Sequence, residues 1–187
     1  MAKLSTLTQD EQDSVIYDAR VGDLDSLKTI FSDEVEVSTL LTTQDEYTSA
    51  TPLHMAAANG HSEVVSYLLS LLDETEVKLL INKQNESGNT ALHWASLNGH
   101  VSCVKVLVEN GADPFIKNKF DHDSIYEAEK SGKEEVETYL LEKFAPELEE
   151  EAGKQEDDES TVQYSKGTEI ETANKEGSEA INSQTST

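Results

Sequence analysis

The sequence predicts an all-α solenoid of about four stacked helix pairs, joined by short β-turn or hairpin connections and followed by a disordered acidic tail. Three observations predict it. The string Thr51-Pro52-Leu53-His54-Met55-Ala56-Ala57-Ala58-Asn59-Gly60-His61 returns 39 residues later as Thr90-Ala91-Leu92-His93-Trp94-Ala95-Ser96-Leu97-Asn98-Gly99-His100. Self-similarity at such a period marks units that bury their apolar faces against one another. Helix-breaking glycines then align at Gly22, Gly60, Gly99 and Gly132, with steps of 38, 39 and 33 residues. After Pro146 the composition changes abruptly: residues 147–187 carry twelve acidic residues and three lysines, and apolar residues such as Leu148, Val162, Tyr164, Ile170 and Ile181 are sparse. Such a segment buries too little surface to offset its chain entropy.

The first unit, near 8–46, opens with Thr8 and Glu11 at capping-box spacing. Val15, Ile16 and Ala19 precede Gly22, and Leu24, Leu27, Ile30 and Phe31 follow it at helical intervals. In the second unit, near 47–85, Thr51 offers a hydroxyl at a helix N-cap and Pro52 fills N1, where a missing amide costs nothing. Leu53, Ala56 and Ala57 give that helix one packed face whose small residues allow close approach of a neighbour. Gly60 supplies the left-handed turn that ends it, and Val64, Val65, Leu68 and Leu69 mark an amphipathic partner helix.

The third unit, near 86–118, repeats this layout with Cys103, Val104, Leu107 and Val108 and closes on Gly111-Ala112-Asp113-Pro114. In the fourth, near 119–146, Asp123, Ile125 and Ala128 replace Thr, Leu and Ala, and Val136, Tyr139, Leu140 and Phe144 stripe a charged closing helix. The two long steps require insertions relative to the common period of about 33 residues. They fall near 32–47 and 70–83, where Leu71, Leu72, Val77, Leu79, Leu80 and Ile81 suggest extra helix. The folded domain is therefore expected over 1–146 and the tail over 147–187.

Charge narrows the function. Of the formal net −24, about −9 lies after Pro146 and −15 in the folded part. This argues against direct nucleic-acid binding and favours a basic partner, whose encounter it accelerates. No apolar run reaches membrane-spanning length, and Met1-Ala2-Lys3-Leu4-Ser5 has no signal-peptide core, so an intracellular protein with no membrane contact is expected. Cys103, the single cysteine, sits on an apolar stripe and reads as a packing residue rather than a nucleophile. His54, His61, His93 and His100 pair at seven-residue spacing across helix-breaking glycines, which does not suit a metal site, and His122 stands in a turn. Neither a phosphate-binding glycine loop nor a nucleophile with its base is present. The chain reads as a non-enzyme without cofactor or metal.

The Thr-Pro-Leu-His-x-Ala pattern resembles the ankyrin repeat. That resemblance implies an ankyrin-repeat solenoid, gives His54 and His93 a structural role in bridging the cap threonine region to the adjacent repeat, and makes Trp94 a packing residue between repeats. It also implies that the turn tips and the exposed positions of each first helix line a binding surface. By alignment these are Tyr47, Thr48, Ala58 and Asn59 in the second unit, and Glu86, Ser87, Asn89, Leu97 and Asn98 in the third. The fourth offers Lys119, Phe120, His122 and Lys130. Tyr47, Leu97 and Phe120 are the apolar members at nominally exposed positions, rimmed by Asp45, Glu46, Glu86 and Asp121, a surface that suits a basic amphipathic helix.

The strings Asp113-Pro114-Phe115-Ile116-Lys117-Asn118-Lys119-Phe120 and Ser131-Gly132-Lys133-Glu134-Glu135-Val136-Glu137-Thr138-Tyr139, with Lys166-Gly167-Thr168-Glu169-Ile170-Glu171 in the tail, narrow the resemblance. They are similar to the small fungal ankyrin-repeat proteins that escort a newly made ribosomal protein of the small subunit. The resemblance implies a dedicated chaperone, monomeric when free, for a basic KH-domain ribosomal protein. It further implies a role in small-subunit biogenesis and osmotic-stress tolerance, in cytoplasm and nucleus. The alternative is a regulatory adaptor or inhibitor of a transcription factor or kinase; an acidic histone-type chaperone would rest on the tail alone.

Overall fold

The computed structural model describes residues 3–152, with side chains described as far as Ala145. Helices α1 (Gln9–Val21), α3 (Pro52–Ala58), α6 (Ala91–Asn98) and α8 (Ser124–Lys130) are the first helices of four units; α2 (Leu24–Thr29), α4 (Ser62–Ser70), α7 (Val101–Glu109) and α9 (Glu134–Ala152) are the second. First helices pack in series, α1 on α3, α3 on α6 and α6 on α8, and second helices form a parallel row through α2 on α4 and α4 on α7. The core lies between the rows. It is built from the residues at helical spacing, including Leu27, Phe31, Leu53, Leu68, Leu92, Leu107, Ile125 and Leu140, all fully buried. Alanines 56, 57, 95 and 128 are buried where first helices meet, as close packing requires.

Each first helix starts on the residue its sequence predicts. Thr8, Thr51 and Thr90 cap α1, α3 and α6 through reciprocal capping boxes, with Glu11, His54 and His93 as the returning side chains. Asp123 caps α8, its carboxylate accepting from the Tyr126 amide at 2.8 Å. A histidine in place of the usual Glu or Gln changes what the box can do, because the imidazole has a second nitrogen. Nδ1 of His54 accepts from the Thr51 amide and hydroxyl at 3.2 and 2.8 Å, which leaves the ring proton on Nε2 to be donated to the Asn89 carbonyl of the next unit at 2.9 Å. His93 repeats this arrangement, with Thr90 at 3.1 and 2.8 Å and the His122 carbonyl at 3.1 Å.

A second pair of histidines works in the opposite direction. Nε2 of His61 donates to the Arg20 carbonyl and Nε2 of His100 to the Ala58 carbonyl, both at 3.0 Å and both in the preceding unit. Their rings occupy the space beside the helix-ending glycines: a Cβ on Gly22 would lie 2.6 Å from His61, and one on Gly60 would lie 2.8 Å from His100. These glycines are therefore required twice, for a positive φ of 79° and 81° and for the missing side chain. In the last unit Lys133 stands where the histidine would be, against Gly99.

The inserted segments are ordered. After α2 the chain forms a π-helical turn over Ile30–Glu34 and a 3-10 helix over Val37–Leu41, and Leu4 pairs with Val35 in an isolated parallel bridge. The second segment holds α5 (Glu74–Ile81), capped by Asp73 and packed on the 3-10 helix. Lys83 ties the two insertions by donating to the Leu41 carbonyl at 3.0 Å.

Among the described residues the connections are turns, as expected, and the Leu4–Val35 bridge is the one β-pairing. One expectation is modified. Residues 147–152, expected in the disordered tail, are helical, because α9 continues through Pro146 to Ala152. The run Glu147-Leu148-Glu149-Glu150-Glu151-Ala152 consists of strong helix formers, and extending an existing helix avoids the cost of nucleation. The rest of the acidic segment, 153–187, lies outside the described residues.

Burial moves His54 well down, from 6.5 to about 4, and desolvation also lowers His93. Between these two values the unfolded chain takes up a proton at His54 that the folded chain refuses, so stability is fully present above pH 6.5 and declines towards pH 4. The loss attributable to His54 should reach about 3 kcal/mol. His54→Ala should lower stability by about 2–4 kcal/mol at neutral pH and flatten this acid decline, which urea unfolding at a series of pH values will measure. Gly60→Ala should cost at least about 2 kcal/mol through strained φ plus the His100 clash. Gly132→Ala should cost only about 1 kcal/mol, because its added Cβ meets nothing within 4 Å.

Candidate partner-binding surface

The tips between units are built on one short-range device. Oδ1 of Asp45 accepts from the amides of Tyr47 and Thr48 at 3.1 and 2.6 Å. In the third unit Oδ1 of Asn85 accepts from Ser87 and Asn89 at 3.0 and 2.9 Å, and in the fourth Oδ1 of Asn118 accepts from Phe120 and His122 at 2.9 and 3.1 Å. Hydrogen bonding, first from the Thr48 hydroxyl and then from its amide, holds the Asp45 carboxyl below its usual range. Each turn closes by a backbone bond, Asp45 to Ala50, Asn85 to Asn89 and Asn118 to His122. Ser49, Gly88 and Asp121 take the left-handed residue before the closing position.

Single backbone bonds link one tip to the next. Glu86 donates to Thr48 at 2.8 Å and Lys119 to Ser87 at 3.0 Å. Thr48, Ser87 and Phe120 therefore occupy equivalent places along one edge, with Tyr47, Glu86 and Lys119 one residue before them. Tyr47 is 79% and Phe120 69% exposed, which leaves large apolar areas in water. Glu46, Thr48, Glu86, Lys119 and Asp121 are exposed beside them, and Asp45 is half-buried at the base of its turn.

On the first helices Leu97, Asn98 and Lys130 are exposed, as is Asn59 at the C-terminal cap of α3. Several nominated residues also carry structural bonds. The half-buried Ala58 offers its carbonyl to Asn98 Nδ2 and to His100. Asn89 accepts from His54 on its carbonyl and from Asn118 Nδ2 on its side chain at 2.8 Å. His122 is clamped by Glu127, Nδ1 to Oε1 at 3.0 Å. Trp94 is half-buried and meets the His54 ring of the preceding unit edge-on, with centroids 5.5 Å apart.

Two further exposed residues lie in register with these positions. Tyr17 is 61% and Val21 48% exposed on α1. Counting back from the aligned glycines puts Tyr17 in the row of Met55, Trp94 and Glu127, and Val21 in the row of Asn59, Asn98 and Ser131. That register is the sequence signal for them; the first unit lacks the Thr-Pro-Leu-His string by which the other positions are found. The described residues hold no group of His, Cys, Asp and Glu able to bind a metal ion, and no helix long and apolar enough to cross a membrane. Cys103 is buried and unpaired, and burial pushes its thiol up to about 11, away from a nucleophilic thiolate.

A row of stacked helix pairs with an exposed, ring-bearing edge defines a repeat protein of the kind that binds other macromolecules. Ankyrin repeats (3 copies) match residues 15–118 and 77–151, and the chain belongs to the ankyrin-repeat family. It is 51% identical over 185 residues to the ankyrin repeat-containing protein YAR1 of Saccharomyces cerevisiae, covering 96% of this chain and 92% of that one. An ankyrin repeat-containing protein of Schizosaccharomyces pombe is 40% identical over 124 residues, covering 66% of this chain and 80% of its own. Among solved structures, a chain in the crystal structure of the yeast ribosomal protein Rps3 in complex with its chaperone Yar1 superposes with a TM-score of 0.72 at 54% identity, covering 74% of this chain and 96% of that one.

If Tyr47 and Phe120 are held outward for contact, Tyr47→Ala and Phe120→Ala should each change stability by no more than about 0.5 kcal/mol. Asn118→Ala, which leaves two tip amides without their acceptor, should cost about 1–2 kcal/mol in the same urea titration.

Proposed function

We propose that this chain is a non-enzymatic escort that binds a newly made basic ribosomal protein of the small subunit, of the KH-domain type, and keeps it soluble for subunit assembly. The observation that carries this reading is a relative, 51% identical over nearly the whole chain, that bears the name of the chaperone crystallised with Rps3. Physical chemistry points the same way. A ribosomal protein without its RNA exposes cationic surface that aggregates with cellular polyanions. A binder with formal charge −24 masks that surface and speeds encounter.

The repeat stack holds one element of the client against Tyr47, Leu97 and Phe120, within the rim of Asp45, Glu46, Glu86 and Asp121. The flanking candidates Thr48, Ala58, Asn59, Ser87, Asn89, Asn98, Lys119, His122 and Lys130 shape the same surface. The acidic residues after Pro146 add charge that screens more of the client at high local concentration. No nucleotide is consumed; RNA releases the client by competing for the same cationic surface. The escort works between cytoplasm and nucleus, and its loss shows as poor small-subunit assembly and osmotic sensitivity.

Titration of the purified chain with yeast Rps3 across a salt gradient should show affinity falling steeply with salt and abolished by excess rRNA. Joint replacement of Tyr47, Leu97 and Phe120 by Ala should weaken binding at least about tenfold without unfolding the stack. Absence of Rps3 binding, with recovery of a transcription factor or kinase from a fungal lysate instead, would turn the reading to a regulatory adaptor.

A further inference from the structure

The left-handed position of the tips differs from unit to unit. Gly88 has no room for a side chain, because its Cβ would lie 2.8 Å from the Lys119 amide of the following tip. The described residues contain no tip beyond Asn118–His122, and there the same left-handed position is taken by Asp121, at φ 63°, as it is by Ser49, at φ 55°, in the first tip. Among the described residues its carboxylate pairs with Lys117, at 3.0 Å, and the two side chains are 81% and 57% exposed. A bridge so open to water is easily exchanged.

The histidine that bridges units is also replaced here, by Tyr126. Its ring faces His122 with centroids 4.2 Å apart and planes tilted by 36°, and His122 faces Phe120 at 6.2 Å and 37°. His122 is fixed in place by Glu127 and by the Asn118 side chain. The inner end of this run of rings already carries a cation, with Lys130 Nζ 5.6 Å from the Tyr126 centroid. Its outer end, Phe120, is 69% exposed and lies next in sequence to the Asp121 carboxylate.

We infer that the last tip is the seat for one arginine of the basic partner, whose guanidinium stacks on Phe120 and pairs with Asp121, displacing Lys117. This refines the escort reading and rests on it for the identity of the partner. A guanidinium is planar, stacks on a ring and presents paired donors to a carboxylate; an ammonium cannot do both at once. A stacking nucleobase is disfavoured, because its phosphate would approach Asp121 and Glu127.

The test follows the Phe120 ring and Asp121 amide by NMR in the full chain at low salt. Titrants are yeast Rps3 and two peptides of equal length and charge, one alternating Arg and Ala, the other Lys and Ala. The arginine peptide should move both signals at several-fold lower concentration than the lysine peptide. Phe120→Leu and Asp121→Asn, the latter keeping a residue that tolerates positive φ, should each weaken Rps3 binding about tenfold, and Lys117→Ala should tighten it about twofold. Equal response to the two peptides, or Rps3 binding within about twofold of wild type in both weakened variants, overturns the seat. Failure of Rps3 to bind while the arginine peptide still moves Phe120 overturns the escort reading and leaves the seat standing.

Discussion

The buried imidazole of each internal repeat is the constraint on which the stack depends. His54 and His93 are 1% exposed, and each uses both ring nitrogens in fixed and opposite roles, accepting at Nδ1 and donating at Nε2. Only the neutral ring can do this, because a proton on Nδ1 would face the threonine amide that it now accepts from. The bond that starts a helix and the bond that joins it to the next unit are thereby one group. Local capping and long-range assembly cannot be lost separately.

The second histidine pair completes a two-way arrangement. Where His54 reaches forward to the third unit, His61 reaches back to the first, and the glycine beneath it must be bare for the ring to fit. At the ends the pattern relaxes. Glu11 caps the first helix without a forward bridge, and Tyr126 and Lys133 stand in the last unit where histidines would. At the last described tip Phe120 and Asp121 stand exposed at the surface.

The architecture is legible in the sequence to the extent that each residue's role is local. Thr51-Pro52 and Gly60 mark a helix start and stop by their own stereochemistry, and the stripe Val64, Val65, Leu68, Leu69 names the buried face. The forward bridge of His54 and His93 is legible only through family resemblance, since nothing in the spacing says that a carbonyl 35 residues away will lie opposite Nε2 of His54. The backward bridges of His61 and His100 are not legible at all, for the same reason. Helix α5 is foreshadowed by its apolar residues, whereas the π-turn after α2 and the Leu4–Val35 bridge arise from tertiary packing. On the candidate surface, Tyr47 and Phe120 stand out because large apolar residues at turn positions lack a local reason to be there. Tyr17 and Val21 need the glycine register, because the degenerate first unit hides the motif that locates the others.

The acceptors of the histidine bonds are main-chain carbonyls: Asn89 and His122 ahead, Arg20 and Ala58 behind. A carbonyl is the same whichever side chain it belongs to. The histidine bonds themselves therefore place few demands on the side chains of the residues they grip, and tip positions whose side chains make no bond of their own can diversify without dismantling the scaffold beneath them. Main-chain atoms thus carry the long-range histidine bonds, which leaves the exposed side chains of the tips free to change from lineage to lineage.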